Sequence, residues 1–533
     1  MLVLLPTFLL LLAAITILIL QWVRPGFGFA WLIAAVVVVA CWAMFLVFHW
    51  RAPPPFVLAS WEPMQDVVVG VRFQVDQVSW PYAFSLASLV TAVILTAGAR
   101  LQHRSNPFVW AGSLAVAGMG FLGVLASSPV ALILAWIAID IFELLIMLGS
   151  VNQRNQSQQA VIAFSASVAG SLVVMWAIFV SQSAGVSLSL ESVTPGVSIY
   201  LLIASGLRLG VLPLHLPYPQ EVLKRRGLGN ILRMVAPASS LVLLGRLPAE
   251  PISASWQPYL IAFVALAVLY GGLMWLAATD EVKGRPYWVI TLSGLAIACV
   301  IQGVPAASQA WGMALLLSGG VLFLYSARRT SVIFIPLLGA LGLTGLPFTP
   351  AASGWTGLLV KPFTLLSLIF IVALALLLVG YLRHAFRPGD SLAAMDRWIQ
   401  VVYPTGILIL VISQWLTGVL GWSSSFTVGI WWGSLLASIL AAGIFFGVIG
   451  LRRIQVPAAY SQSWLSILLE RSGDRLAAFF RLEWVYSLLR LFYLIAQRLI
   501  QFLTAILEGD GGVLWVLLLL ALLVSLLQTG GIK

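Results

Sequence analysis

Residues 129–149 read PVALILAWIAIDIFELLIMLG, and this stretch decides the class of the molecule. It supplies about 20 consecutive residues of apolar character, the length an α-helix needs to cross the hydrocarbon core of a bilayer. Its only charges, Asp140 and Glu143, stand three residues apart and so share one face of that helix. Comparable apolar stretches recur from Leu2 to Leu527, separated by short polar loops. Across the 533 residues, 61% are hydrophobic and 8% charged, with a mean hydropathy of +1.05. A water-soluble domain carries about 25% charged residues, so this chain cannot cover its surface against water. The composition predicts an all-α integral membrane protein with no soluble domain.

Sixteen transmembrane helices are predicted, near 2–22, 27–49, 81–101, 107–126, 129–150, 158–181, 198–215, 229–247, 257–278, 287–303, 308–326, 331–348, 360–384, 400–420, 427–451 and 511–528. Proline and glycine place broken helices near Leu212–Pro213 and near Gly345–Pro347. Residues 51–80 hold Pro53, Pro54 and Pro55 and then the alternating VVVGVRFQVD, which reads as a short hairpin outside the membrane. Residues 460–508 read as an amphipathic interfacial helix, with Arg490, Gln497, Arg498, Gln501 and Glu508 spaced among Leu, Ile and Phe. The net charge of +11 lies in ones, twos and threes between spans, which argues against nucleic acid and for the positive-inside pattern. Alternate loops hold Arg24, Arg100 and Arg104, Arg154, Lys224 to Arg226, Lys283 and Arg285, Arg328 and Arg329, Arg383 and Arg387, and Arg452 and Arg453. That one-sided bias predicts cytoplasmic loops there and an N-terminus outside. Cys41 and Cys299 both fall within spans, so neither a disulfide framework nor a metal cluster is expected. His49, His103 and His384 flank spans and read as interfacial, and the 22 tryptophans as belt anchors and packing.

Ionisable groups inside spans are costly and become candidates for function. Besides Asp140 and Glu143, the seventh helix contains SGLRLGVLPLHLPYP, with Arg208 and His215 seven residues apart on roughly one face. The eighth contains NILRMVAP, with Arg233. Arginine does not release its proton in a protein, whereas histidine titrates near neutrality. Asp140, Glu143 and His215 are therefore the exchangeable groups, and Arg208 and Arg233 fixed counter-charges. Asp140 and Arg208 can equally form one static neutral pair that ties helices together.

These motifs resemble the antiporter-like subunits of respiratory complex I, membrane-bound hydrogenases and Mrp-type cation/proton antiporters. Arg208-LGVLPLHLPYPQEV matches the family's Lys-S-A-x-x-P-F-H-x-W-L-P-x-A at Pro213, Leu214 and His215, and NILRMVAPASSLVLLGR fits the next helix, ending in Arg246. Asp140 falls where the family has the glutamate of its W-E motif, with Glu143 one turn on, and Arg233 where it has His or Lys. AATDEVKGRPYWVITLSGLA and GALGLTGLPFTPAASGW resemble two later family segments. The resemblance implies two inverted five-helix repeats with broken helices, at 129–250 and 251–384. N-terminal helices would occupy 1–128 and further helices 385–459. A lateral helix at 460–508 and a terminal span at 509–533 would close the chain. It further implies a subunit of an assembly in a prokaryotic-type inner membrane, whose partners are other membrane subunits, the lipid bilayer and protons or monovalent cations.

The chain also departs from that pattern. Lysine is replaced by arginine at 208, and WGMALLLSGGVLFL carries no ionisable residue where the family has H-x-x-x-K, with Leu315 and Gly319 near those positions. The lysine or glutamate expected after GLPFTPAASGW is missing. With no Cys cluster, no haem-ligand His pair and no dinucleotide fingerprint, no redox centre, cofactor, metal or active site of its own is expected, even if the whole assembly is an NADH:quinone oxidoreductase-like translocase. Two readings remain from different classes: a subunit that contributes to proton or cation translocation, and a degenerate scaffold that conducts nothing. A third is the membrane partner of a bicarbonate-uptake pair, which uses the same fold.

Overall fold

The computed structural model describes residues 1–25, 27–58, 70–99, 107–149, 154–218, 226–360, 364–422, 428–453 and 510–529, with helical positions 487, 491, 494, 495, 497–501 and 504. The helices are α1 (Leu5–Val23), α2 (Ala30–Phe48), α3 (Ser79–Thr96), α4 (Pro107–Leu125), α5 (Pro129–Leu148) and α6 (Arg154–Ser183). After them come α7 (Pro195–Leu209), α8 (Leu228–Gly245), α9 (Gln257–Ala277), α10 (Glu281–Ile301), α11 (Pro305–Leu324) and α12 (Phe334–Thr344). The last are α13 (Gly354–Leu358), α14 (Leu365–Ala385), α15 (Arg397–Leu420), α16 (Trp431–Arg453) and α17 (Asp510–Thr529). The chain forms two units, Met1–Ser463 and Trp464–Lys533. Among the described residues, 12 helices are long and apolar enough to cross a membrane. Four more apolar stretches are shorter: Pro195–Leu209, Thr330–Thr344, Trp431–Gly447 and Trp515–Ser525. Every predicted span thus carries a helix, and the molecule is an all-α membrane protein.

Burial follows the bilayer as solvent. A bundle in lipid satisfies backbone groups within each helix and leaves apolar side chains outward. α10 and α11 are buried along their whole spanning length and form the centre of the larger unit. Helix α6 instead exposes Leu172, Trp176 and Phe179, and α9 exposes Phe263 and Leu266. Strand β1 (Phe56–Leu58) pairs antiparallel with β2 (Val71–Phe73), Phe56 opposite Phe73. That pair is tied to the start of α5: Gln74 N–H donates to the Leu125 carbonyl at 2.9 Å and Ser127 N–H to that of Arg72 at 3.0 Å. Ser128 Oγ then caps α5 by accepting from the Ala131 N–H. A two-residue parallel pair joins β3 (Ala327–Arg328) to β4 (Asp390–Ser391).

Two helices are interrupted at the predicted places. Helix α7 ends at Leu209 because Gly210 takes φ +72°, a left-handed geometry natural to glycine. Pro213 and Pro217 then prevent any restart, since proline lacks the N–H a helix interior needs. Helix α12 ends at Thr344 with Gly345 at φ +70°. The first break corrects one expectation: His215 lies in the loop beyond α7 and does not share a helical face with Arg208. Two more are corrected by burial. Arg285 is inside α10, fully buried, because Asp280 caps that helix six residues earlier than predicted by accepting from the Lys283 N–H. His384 is buried in α14 rather than interfacial. His103 and most of the 460–508 segment, including Arg490, lie outside the described residues.

Candidate functional site

Asp140 stands near the middle of α5, and α6, packed against both α5 and α7, brings the Arg208 guanidinium of α7 within reach of it. Arg208 Nη1 donates to Asp140 Oδ2 and Nη2 to Oδ1, both at 2.7 Å, a fork-to-fork pair. The two side chains are 1% and 2% exposed. Nη1 also donates to the Ser167 carbonyl of α6 at 3.1 Å. The arginine stem passes over Gly170, where an added Cβ would sit 2.8 Å from its Cγ. Beneath the guanidinium lies the indole of Trp136, 4.3 Å from the Arg208 Cζ, with its own N–H held by Ser239 Oγ of α8. A charge is tolerable there because hydrogen bonds, counter-charge and an aromatic face replace water on most sides.

One turn further along α5 the arrangement repeats. Glu143 pairs directly with Arg233 of α8, whose guanidinium lies 4.3 Å from the ring centre of Tyr218. Arg233 Nη2 also meets the Met147 sulfur. The Glu143 side chain is 20% exposed, so this pair reaches the edge of the buried region, whereas Asp140 is sealed. Between the acids, Asp140, Glu143, Phe164, Ser167 and Pro217 line a cavity of about 20 Å³, the scale of one water molecule.

His215 is also buried, and its Nδ1–H donates to the Pro213 carbonyl at 2.8 Å. A carbonyl can only accept, so Nδ1 carries the hydrogen, and in the neutral ring Nε2 keeps a free lone pair. That nitrogen has no protein partner among the described residues. The structure therefore joins four of the five candidates into two ion pairs sharing α5. His215 stays on the neighbouring loop, which reaches the cavity through Pro217.

Several participants were not singled out from sequence. Trp136 and Tyr218 are indistinguishable from packing aromatics until an arginine is seen above them. Beyond this site, Glu281 at the start of α10 is buried; Arg226 pairs with it and Arg387 Nη1 stands 3.9 Å from it. Arg246 at the end of α8 pairs with Asp76 at 2.8 Å. The signal available for Glu281 was its place as an acid flanking an apolar span.

No protein-family model and no curated protein sequence matches the chain. Solved structures do. A chain of the Mrp complex from Dietzia sp. DQ12-45-1b superposes with a TM-score of 0.73 at 15% identity over 100% of this chain. This chain spans only 63% of that one's length. A chain of the membrane-bound sulfane sulfur reductase, an archaeal respiratory membrane complex, gives 0.67 at 15% identity, covering 97% of this chain and 99% of that one. A chain of respiratory complex I from Thermus thermophilus with bound NADH gives 0.60 at 17% identity, covering 83% and 99%. At such identities the likeness establishes the fold.

Proposed function

We propose that this chain, built on the fold that the Mrp, sulfane sulfur reductase and complex I chains share, is the proton-translocating membrane subunit of a multisubunit assembly. In this reading α5 to α8 form the first repeat and α9 to α14 the second, and the N-terminus lies outside a plasma membrane. Electron transfer, if the assembly performs it, belongs to other subunits. The observation that carries the reading is the shared cavity: two carboxylates one turn apart, each clamped by an arginine on an aromatic face, with one water's room between them.

The chemistry assigns the roles. Arg208 and Arg233 keep their protons and hold the site's charge. Glu143, at the edge of the buried region, is the carboxylate that exchanges a proton with its surroundings. Asp140 holds Arg208 in place and receives the proton by way of the cavity water. The Nε2 lone pair of His215 accepts it on the loop side. A proton suits this site better than a metal cation. Two acids already matched by two arginines leave no net negative charge to attract a cation, and the cavity is too small for a hydrated one.

One observation favours a scaffold instead: the Asp140–Arg208 fork is fully sealed and would serve equally as a static tie between α5 and α7. The two readings part on function. In vesicles holding the assembled complex, Glu143→Gln and His215→Gln are each expected to lower proton translocation at least tenfold while assembly is kept. Wild-type flux in both fully assembled variants would leave the scaffold as the account of this chain.

A further inference from the structure

The helices of the second repeat, with α15 and the Arg226 side chain packed against them, hold two polar clusters, and a wall of buried aromatic rings separates them. The first cluster surrounds α12. Gln414 Nε2 of α15 donates to Ser318 Oγ of α11 at 2.8 Å, and Ser318 donates to the Gly339 carbonyl at 3.1 Å. Gly339 and Gly342 lie on one face of α12 and give the room: a Cβ on Gly339 would stand 2.9 Å from the Tyr381 hydroxyl, and one on Gly342 2.5 Å from Gln414 Nε2. Gln414 Oε1 and the Tyr381 hydroxyl are buried without protein partners among the described residues, as groups that bind water are. The second cluster is Glu281 with Arg226, Arg387 and the neighbouring His384.

Three helices give the order. On α10 Glu281 comes first and Trp288 two turns later; on α11 Ser318 precedes Phe323, whose carbonyl accepts from Arg226 Nη1; on α14 Tyr381 precedes His384. Trp275 and Trp288 lie between the clusters. Both are fully buried, with ring centres 5.2 Å apart; Trp288 lies 5.8 Å from Tyr381 on one side and Trp275 4.8 Å from His384 on the other. Phe323 closes against both. Each indole N–H is already spent on a backbone carbonyl, Trp288 on Leu315 at 3.1 Å and Trp275 on Leu377 at 3.0 Å. An indole nitrogen donates but cannot accept, so the rings offer no group that could pass a proton on. Glycines vacate the volume they fill. A Cβ on Gly319 would lie 2.5 Å from Trp288 Nε1 and one on Gly380 2.4 Å from Trp275 Nε1. No side chain can project from α11 at 319 while Trp288 keeps its place.

We infer that Trp275 and Trp288 are an indole plug that seals the second repeat between its two polar clusters, so that protons cross this chain only through the first. The inference rests on the reading that the chain translocates protons. Its test is passive proton entry into liposomes holding the full chain, followed with a trapped pH dye after an acid step. Trp288→Ser is expected to raise entry at least tenfold over wild type, and Trp288→Phe, which keeps an apolar ring, to leave it unchanged. A folded Trp288→Ser chain no leakier than wild type overturns the plug. The leak must persist when Glu143→Gln is added, because it bypasses the first repeat; its loss there would equally overturn the plug. Failure of the first-repeat reading shows separately, in the flux of Glu143→Gln and His215→Gln. A further measurement leaves the plug intact: Ser318→Cys, labelled with a charged methanethiosulfonate from the Glu281 side. Protection is expected, and prompt labelling would show an open path.

Discussion

Arg208 brings five N–H donors to a buried position, and the groups around it divide the cost of doing so. Asp140 accepts from two of them, the Ser167 carbonyl from a third, and Trp136 covers the face of the plane. Such a pair resists removal of one member far more than removal of both, because a lone buried charge keeps its desolvation cost. Asp140→Asn alone is expected to cost roughly 3–5 kcal/mol of stability, read as a fall in thermal unfolding temperature in detergent. Asp140→Asn with Arg208→Met is expected to recover more than half of that loss. Equal losses in the single and double variants would show that the pair is not coupled. Asp140, Glu143, Arg208 and Arg233 were visible in the sequence as rare charges within apolar spans. The pairing of Asp140 with Arg208 was already offered by the sequence as a neutral pair, and the structure forms it; that Glu143 meets Arg233 was not legible, since it depends on how α8 packs on α5.

At the scale of elements, the break after α7 places the candidate histidine. Gly210 turns the chain with φ +72°, and its Cα faces the His215 carbonyl so closely that a Cβ would stand 2.5 Å from it. Gly210→Ala therefore meets both a backbone penalty of about 1–2 kcal/mol and a clash with the loop that holds His215. The expected result is lower thermal stability together with reduced flux, whereas Gly196→Ala, with open space around it, is expected to change neither. The break itself was legible from Gly210, Pro213 and Pro217. That His215 leaves the helix was not, because a seven-residue spacing looks the same whether the helix continues or stops. The start of α10 went the other way: the charges Lys283 and Arg285 suggested loop, while the Asp280 cap extends the helix over them.

For the whole molecule, the alternation of basic loops is the basis of the orientation we propose, with the N-terminus outside. Single cysteines introduced beside Met1 and at Ser183, with Cys41 and Cys299 replaced, are expected to react with an impermeant thiol reagent in intact cells. One placed at Arg387 is expected to react only after lysis, and the reverse pattern would invert the topology. Composition and hydrophobic run length determined the class, the approximate spans and the two interruptions, because in a bilayer each helix satisfies its own backbone and answers mainly to its own sequence. They also marked the charges that would need partners. Only the tertiary structure decided that Glu143 pairs with Arg233, that a cavity joins Asp140 to Glu143, and that Trp275 and Trp288 fill the space beside Gly319 and Gly380. Those outcomes depend on which helix faces meet, and lipid and protein interior are equally apolar, so hydrophobic pattern alone cannot tell one face from another.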